Sequence, residues 1–410
     1  MNDLLRLYRL FPDARKTIEA LLAVQENANL AARANDYLSE IYQILKDKTA
    51  ELPVPNRLCA VGTQDAFSIQ SSLDWLLEAE RLCVRLLYSA PHHAAFLRNL
   101  DASFQAMMVS IKNTPLEQVS QHIKQAFYAL DSNTRKRFQD YVNTYPLWGS
   151  FDPEKGDHTL LENRARSLHD HADDFLWLYA RLADYRSRYT LFALVNNWYS
   201  FVFNDLDRCR ERVFREYFDL DVIQCGENEV LVDVGAFTGD TVIDYIAAYG
   251  LKYRRIYCYE MTPETFKMLQ ENLKLLPNLV LRCCGVGDQP GEMYILPNPH
   301  PSANRVSEQG QVKVPIVTVD EDIQEPVTFI KMDIEGYEQK ALLGCRRHIR
   351  EDRPKLAVSV YHNNEDIWKI PRMIEEFCPG YLFYLRHQGG TLVPTELSLL
   401  AVYPENCQDF

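Results

Sequence analysis

The chain has 410 residues and an ordinary globular composition, 47% hydrophobic and 25% charged, which predicts two or three domains with well-formed cores. Its formal net charge of −13 disfavours nucleic acid and anionic membrane surfaces as partners, because phosphates would be repelled without a dense basic patch. The 10 cysteines form no CxxC pair, the N-terminus lacks the pattern of a secretory signal, and no apolar run approaches the roughly 20 residues that span a bilayer. We therefore expect a cytoplasmic protein.

The first 150 residues predict a helical arm and a small accessory domain. Residues 1–50 are predicted to be helical, because apolar residues recur at three- or four-residue spacing from Ala31 to Leu45. This stripe either packs on its own chain or forms a homodimer contact. Residues 51–150 favour a small α/β domain, with an all-helical module as the alternative. Strands are predicted at 57–61, 82–88 and 107–111, and helices at 67–80, 94–104 and 115–130.

Residues 151–222 are predicted to form a helical connector or substrate lid that is rich in Tyr, Trp and Phe. Aromatic residues in helices usually pack in a core. The alternative is that some of them wall a substrate cleft. The residues considered for such a wall are Tyr189, Trp198, Tyr199 and Phe203.

Residues 223–410 alternate strand and helix patterns and are predicted to form one α/β domain. Strands are predicted at 229–234, 255–260, 279–284, 327–332, 356–361, 381–386 and 396–403. Helices are predicted at 239–249, 263–276, 338–349 and 365–378. The last two strands follow each other without a helix, so we expect a mostly parallel sheet closed by one antiparallel strand. Segments 292–296 and 312–319 predict an additional hairpin near the site.

The first strand of this domain runs into a glycine turn that opens a helix. Gly235 and Gly239 do not form a G-x-G-x-x-G pattern, and Asp240 lies where a dinucleotide would place its phosphates. A carboxylate there would repel a diphosphate but suits the cationic S-adenosylmethionine. Gly235 lets the backbone approach a ligand closely, and Asp233 is a candidate partner of the methionine ammonium group. The turn therefore favours S-adenosylmethionine over a dinucleotide.

The second strand ends on Glu260, where an acidic residue can accept hydrogen bonds from ribose hydroxyls. Pro263 then fits the start of the next helix. A strand-final glutamate is also common as a solvated end, and this arrangement by itself does not exclude NAD.

Polar residues also follow the later strands at the same edge of the sheet. Asp333 and Glu335 would face the transferred methyl group, or could supply oxygen ligands to Mg²⁺. His362 is a candidate general base because the pKa of histidine lies near working pH, and His387 is a candidate substrate contact. The structural alternatives are helix capping by carboxylates such as Glu338 and a loop histidine with one hydrogen bond.

Together, these motifs resemble the FkbM family of S-adenosylmethionine-dependent methyltransferases over about residues 160–405. The matching segments are Val232–Thr241, Tyr259-Glu260 with Pro263, Lys331–Gly336 and Tyr361-His362, preceded by Tyr217–Asp219. The resemblance implies a Rossmann-like, seven-stranded α/β domain that O-methylates hydroxyls on sugars, glycans or natural products.

The resemblance also implies which residues contact the cofactor. Asp233, Gly235 and Gly239 would hold the methionine part, Glu260 the ribose, and the loop 285–288 the adenine. Met261 stands where the family commonly places a proline-containing turn, a role that Pro263 takes in this chain. The full set of expected cofactor contacts is Asp233, Gly235, Ala236, Phe237, Gly239, Asp240, Thr241, Glu260, Met261, Gly285, Val286 and Asp288.

The leading hypothesis is an O-methyltransferase that acts on a small-molecule, sugar or glycan hydroxyl, with His362 and Asp333 at the reacting oxygen and Glu335 and His387 at the substrate. A nicotinamide-dependent oxidoreductase is a second hypothesis and would need a diphosphate at the glycine turn. A third is a non-catalytic module that binds S-adenosylmethionine and organises a biosynthetic complex through residues 1–150. Substrate choice is expected to come from the aromatic helices and the N-terminal domain.

Overall fold

The computed structural model of the protein describes residues 10–11, 14–20, 28–46, 52–55, 58, 69–76, 78–79, 82, 91–296, 304–307, 310 and 312–404. By its internal contacts the chain divides into two compact units, Met1–Ser103 and Phe104–Phe410. Among the helices within these described ranges, none is long and apolar enough to cross a membrane.

The first unit is largely helical where the structure describes it. Helix α1 (Ala28–Lys46) buries the predicted apolar stripe, from Ala31 to Leu45, in the core of this unit. The stripe therefore packs on its own chain. Residues 69–76 are helical, within the helix predicted at 67–80. The strands predicted at 57–61 and 82–88 lie, apart from Leu58 and Leu82, outside the described residues.

Helix α2 (Pro91–Asn113) contains both the predicted helix 94–104 and the segment 107–111, which the sequence predicts as a strand. The strand prediction is wrong. Phe104, Met108 and Ile111 are buried at intervals of four and three residues, which is the helical period. A five-residue apolar run has the composition of a strand, but the burial pattern spans two turns of one continuous helix.

Several helices precede the sheet of the second unit and pack through aromatic rings. They are α3 (Leu116–Tyr128), α4 (Ser132–Thr144), α5 (Thr159–Asp170), α6 (Ala172–Arg181), α7 (Tyr185–Ser200) and α8 (Asn204–Cys209). The ring of Phe127 contacts those of Phe138 and Phe151 at centroid distances of 5.6 and 5.1 Å. Trp198 is buried, and Tyr199 stacks on His122 at 4.1 Å. The aromatic residues of this region thus serve mainly as core.

The strands that follow are β1 (Val230–Val234), β2 (Arg255–Tyr259), β3 (Leu279–Arg282), β4 (Gly285–Val286), β5 (Gly291–Leu296), β6 (Arg305–Ser307), β7 (Val312–Val317), β8 (Phe329–Met332), β9 (Lys355–Ser359), β10 (Leu382–His387) and β11 (Leu397–Val402). Seven of them form one sheet in the order β10-β11-β9-β8-β1-β2-β3. Strand β11 is antiparallel to both neighbours, and the other pairs are parallel. The predicted mostly parallel, Rossmann-like sheet is confirmed.

Helices connect the strands of this sheet. They are α9 (Asp240–Tyr249), α10 (Pro263–Leu273), α11 (Val319–Asp322), α12 (Glu338–Leu343), α13 (Arg346–Glu351) and α14 (Asp366–Phe377). The single helix predicted at 338–349 is two helices, separated near Gly344. A Cβ atom on Gly344 would lie 2.0 Å from the carbonyl oxygen of Gly287. The chain therefore packs there on a distant backbone segment, which a local helical pattern does not reveal.

The predicted additional hairpin belongs to a second sheet with the order β4-β7-β5-β6. Strands β5 and β7 pair antiparallel, from Gly291 opposite Ile316 to Ile295 opposite Val312. Strand β4 pairs parallel with β7 directly after the edge of the main sheet, so this small sheet is close to the carboxyl ends of the central strands.

Candidate active site

A cavity of about 340 Å³ opens at the carboxyl ends of β1, β2 and β8. In open α/β sheets, ligands bind in the crevice outside the carboxyl ends of the strands. The glycine turn after β1, the end of β2 and the segment after β8 all contribute to its lining, through Gly235, Glu260 and Asp333. The cavity is thus where the topology of the sheet predicts a ligand.

The glycine turn is packed between its two neighbouring strands. The amides of Gly235 and Ala236 donate to the carbonyl oxygen of Tyr259 at 3.0 and 2.9 Å. Gly235 has a φ of +82°, and a Cβ atom there would lie 1.9 Å from the carbonyl oxygen of Asp333. Only glycine fits this conformation and this spacing, so the turn presents bare backbone to the cavity.

Beneath the turn, Asp233 and Lys331 form a buried ion pair with a distance of 3.0 Å between Oδ1 and Nζ. The two residues are partners in the register of β1 and β8. The Lys331 ammonium also donates to the carbonyl oxygen of Gly235 at 2.8 Å. Burial raises the pKa of Asp233 to about 6, although Lys331 opposes this shift. The pair supports the glycine turn from below, and Asp233 is not among the described residues that line the cavity.

Glu260 lies at the end of β2 and lines the cavity, with 8% of its surface exposed. Its Oε1 atom accepts a hydrogen bond from the amide of Thr262 at 2.7 Å. Burial raises the pKa of this carboxyl, whereas the bonds from Thr262 lower it. One carboxylate oxygen is therefore fixed by the backbone, and the side chain is oriented toward the cavity.

Asp333 and Glu335 follow β8 and line the cavity together with several tyrosines and other carboxylates. The Tyr217 hydroxyl donates to Asp333 Oδ2 at 2.7 Å. Glu335 is a non-glycine residue with a φ of +57°, a conformation that costs energy and is enriched at functional sites. Burial raises the pKa of Glu335 to about 7, and nearby carboxylates add to this shift while His362 opposes it.

His362 is buried behind these two carboxylates, with 1% of its surface exposed. Its Nδ1 atom is 2.8 Å from Glu338 Oε1, and its Nε2 atom is 3.4 Å from Asp333 Oδ1 and 3.8 Å from Glu335 Oε2. Burial alone would lower the pKa of His362, but the attraction of Glu338, Asp333 and Glu335 raises it to about 10. His362 is not among the described lining residues, so it faces the cavity only through Asp333 and Glu335.

The structure brings together most, but not all, of the residues predicted for the site. The predicted residues that line the cavity are Gly235, Phe237, Asp240, Thr241, Glu260, Met261, Gly285, Val286, Asp333 and Glu335. Those outside the described lining are Asp233, Ala236, Gly239, Asp288, His362 and His387.

Asp288 and His387 require correction, because the structure gives both of them other partners. The Asp288 carboxylate accepts from the Lys340 ammonium at 3.0 Å, on the protein surface. His387 is fully buried, with Nε2 3.2 Å from the carbonyl oxygen of Gly390. Burial lowers the pKa of His387. A place near the end of a strand was therefore not sufficient to put either side chain at the cavity.

Sequence reasoning missed four residues of the site: Glu216, Lys331, Glu338 and Glu396. Glu338 follows Glu335 by three residues and lies in the first turn of α12, which no side chain caps. The amide of Ile334 donates to its Oε1 atom at 2.9 Å, and the same oxygen contacts His362. Lys331 lies inside the quoted motif. Glu216 and Glu396 line the cavity from segments far apart in sequence, and no local pattern marks them.

The fold and the crevice define the class of α/β proteins that hold a nucleoside at the carboxyl edge of a parallel sheet. Residues 233–389 match the model of the methyltransferase FkbM domain, and this part of the chain is similar to that methyltransferase family. The resemblance noted from the sequence is thereby confirmed. A search of curated proteins finds no match.

One solved structure supports the fold. The methyltransferase FkbM from Methylobacillus flagellatus is 26% identical with a TM-score of 0.50, over 64% of this chain and 66% of that chain, so the alignment spans just under two thirds of that relative. An rRNA methylase from Streptococcus thermophilus is 12% identical, with a TM-score of 0.32 over 47% of this chain and 99% of that one. Fibrillarin from Aeropyrum pernix, solved with natively bound S-adenosyl-L-methionine, is 13% identical, with a TM-score of 0.29 over 43% and 67%. At these values the last two do not bear on the activity of this chain.

Proposed function

We propose that this chain transfers a methyl group from S-adenosylmethionine to a hydroxyl oxygen of a small-molecule, sugar or glycan acceptor. The observation that carries this proposal is the cavity itself, where bare backbone at Gly235 and the carboxylate of Glu260 meet at the carboxyl edge of an FkbM methyltransferase domain. The backbone would approach the methionine part, and Glu260 would accept hydrogen bonds from the ribose hydroxyls.

The charge of the cavity supports S-adenosylmethionine over a dinucleotide. Asp240, Glu260, Asp333 and Glu335 all line it, and among the described lining residues Lys331 is the only lysine or arginine. The Lys331 ammonium is already paired with Asp233. A cationic sulfonium is attracted by such a lining, whereas a diphosphate would meet the Asp240 carboxylate at the start of α9 and be repelled.

The reaction would be an in-line displacement at carbon. The acceptor oxygen forms a bond to the methyl carbon, the electrons of the carbon–sulfur bond pass to sulfur, and the hydroxyl proton is released. The products are a methyl ether and S-adenosylhomocysteine. Alignment and proton removal are the main tasks of the protein. Asp333 and Glu335 are the lining carboxylates that follow β8, and we assign contact with the acceptor to them.

The role of general base predicted for His362 stays a prediction, and the geometry favours a different one. The ring is buried behind Asp333 and Glu335 and touches both carboxylates with Nε2. In this position it holds the two carboxylates rather than the acceptor itself. His362 is thus proposed as a positioning residue.

Calorimetry with S-adenosylhomocysteine and, separately, with NAD⁺ tests the cofactor. We expect one S-adenosylhomocysteine per chain and no saturable binding of NAD⁺. Binding of NAD⁺ with no binding of S-adenosylhomocysteine would replace the proposal with the oxidoreductase hypothesis.

Turnover separates an enzyme from a non-catalytic module. Release of S-adenosylhomocysteine is measured with a panel of methyl glycosides and with extract of the producing cells. Asp333→Asn is expected to abolish acceptor-dependent release while the affinity for S-adenosylhomocysteine changes little. Cofactor binding without turnover on any acceptor source would favour the module that organises a complex through residues 1–150. The cytoplasmic location, the homodimer and the substrate-selecting role of the N-terminal domain stay predictions.

A further inference from the structure

We propose that Asp333, Glu335 and His362 bind one divalent transition-metal cation at the wall of the cavity. The cation site stands on the geometry of these residues and does not depend on methyl transfer. Its use in catalysis, described below, rests on the proposed function.

The three side chains place their donor atoms around one point. One carboxylate oxygen of Asp333, one of Glu335 and a ring nitrogen of His362 all lie within 4.8 Å of one another. The Nε2 atom of His362 is 3.4 Å from Asp333 Oδ1 and 3.8 Å from Glu335 Oε2. Two ligand atoms that each lie about 2.1 Å from one ion are about 3.0 Å apart at a right angle and about 3.4 Å apart at a tetrahedral angle. The two distances from His362 Nε2 are thus close to those between ligands of one cation.

Two of these donor atoms are buried and make no hydrogen bond, although they face each other at 3.4 Å. Within the described part of the chain, His362 Nε2 and Asp333 Oδ1 have no hydrogen-bond partner. The His362 side chain has no exposed surface. Buried polar atoms in folded proteins are almost always satisfied by a partner, an ion or water. An orphaned imidazole nitrogen directed at two carboxylates is the arrangement of an incomplete coordination sphere.

The residues around the donors hold them in the orientation that a metal requires. Glu338 Oε1 lies 2.8 Å from His362 Nδ1, on the far side of the ring. A metal-binding histidine almost always donates its other ring N–H to a carboxylate, carbonyl or water, which fixes the ring and the tautomer. On Asp333, the Tyr217 hydroxyl occupies Oδ2 and leaves Oδ1 for the ion. The orientations of His362 and Asp333 are therefore set before any ion binds.

The donor set selects the kind of ion. One imidazole nitrogen with two carboxylate oxygens suits Mn²⁺, Fe²⁺, Co²⁺ or Zn²⁺, whereas Mg²⁺ prefers oxygen ligands in a near-ideal octahedron. The Mg²⁺ expected from the sequence used only Asp333 and Glu335, and the comparisons lend it no support. The contact with His362, which only the fold creates, changes the expected ion to one of the transition series.

The position of the site indicates what the cation would do. Asp333 and Glu335 line the cavity, so the remaining coordination positions point to the space proposed for the acceptor. An ion there would hold an acceptor oxygen in place and make its hydroxyl more acidic.

Titration of the full chain with Mn²⁺ tests the site after dialysis against EDTA. Calorimetry and electron paramagnetic resonance of free Mn²⁺ are expected to show one site per chain that binds Mn²⁺ more tightly than Mg²⁺. Glu338→Gln should weaken Mn²⁺ binding about 10- to 100-fold, as is usual for a residue that orients a ligand. Glu335→Gln should weaken it at least as much. The exposed Glu264 provides the matched control, and Glu264→Gln should leave Mn²⁺ affinity unchanged.

Binding of S-adenosylhomocysteine is measured on the same samples. Glu335→Gln should still bind S-adenosylhomocysteine, which would show that this variant is folded. The test of the cation site therefore stands even if Glu338→Gln does not fold. Absence of saturable Mn²⁺ binding, or equal binding in wild type and Glu335→Gln, would overturn the cation site. Mn²⁺ binding that is lost in Glu335→Gln, in a protein that does not bind S-adenosylhomocysteine, would support the cation site and refute the proposed methyltransferase activity.

Discussion

Gly235→Ala is the substitution that tests the glycine turn most directly. The added Cβ would lie 1.9 Å from the carbonyl oxygen of Asp333, whereas real Cβ atoms essentially never come within 3.0 Å. The turn or the end of β8 must therefore move by about 1.1 Å or more. The left-handed φ of +82° adds a conformational cost of about 1–2 kcal/mol, and forcing a group into a packed region typically costs about 1–3 kcal/mol more. We expect a total loss of about 2–5 kcal/mol in the free energy of unfolding.

Gly156→Ala is the matched control for this substitution. Gly156 has a φ of +79°, and an added Cβ there meets nothing within 4 Å, so it carries the conformational cost without the clash. Urea denaturation gives the free energy of unfolding of both variants, and calorimetry gives their affinity for S-adenosylhomocysteine. Displacements near 1 Å in a site can cost about 100-fold in reaction rate. We therefore expect Gly235→Ala alone to lose turnover by about this factor and to bind S-adenosylhomocysteine more weakly. Equal stability and equal affinity in the two variants would refute the close approach of the turn to β8.

Three further substitutions test other parts of the site. Glu260→Gln should weaken S-adenosylhomocysteine binding roughly 10- to 100-fold, because a charge-assisted hydrogen bond contributes about 1.5–3 kcal/mol. Glu264→Gln is the control. Equal affinities of the two variants would refute the proposed contact between Glu260 and the ribose. Lys331→Met should lower the free energy of unfolding by about 3–5 kcal/mol, because it leaves Asp233 buried without a partner. The double variant Asp233→Asn with Lys331→Met should recover much of this loss in the free energy of unfolding, measured by urea denaturation. If the losses of the two single variants simply add, the two residues are not coupled. His387→Gln should change cofactor affinity and turnover by about twofold or less, since distant sites act independently. A large loss of turnover without loss of cofactor affinity would support the predicted contact of His387 with the substrate.

Local signals in the sequence were sufficient for most of the sheet. The strand predicted at 229–234 is β1 (Val230–Val234), and the strand predicted at 396–403 is β11 (Leu397–Val402). Both are mainly apolar runs, interrupted only by Asp233 in β1 and Ser398 in β11, a pattern that depends on neighbours in the chain. The prediction failed at 107–111, where a run of similar composition lies within α2. There the partner surface, rather than the composition, decided between helix and strand.

The edge of the sheet at which the site forms also followed from the sequence. Glu260 and Asp333 each follow a strand of a parallel sheet, and parallel strands bring their carboxyl ends to one edge. The structure places both side chains at the same cavity. The sequence could not add Glu396, which reaches this cavity from the segment before an antiparallel strand.

The sequence by itself determined the strand order of the domain in residues 223–410, the glycine turn and the edge of the sheet where the cavity opens, because each depends on residues close together in the chain. Only the tertiary structure decided which side chains face one another there. The pairing of Asp233 with Lys331 depends on the register of β1 and β8. The direction of His362 Nε2 toward Asp333 and Glu335 depends on the bond from Glu338 to the other side of the ring. The charge and protonation of these side chains, and the proposed affinity for a metal ion, depend on distances of a few ångströms between separate strands. Tertiary packing fixes such distances.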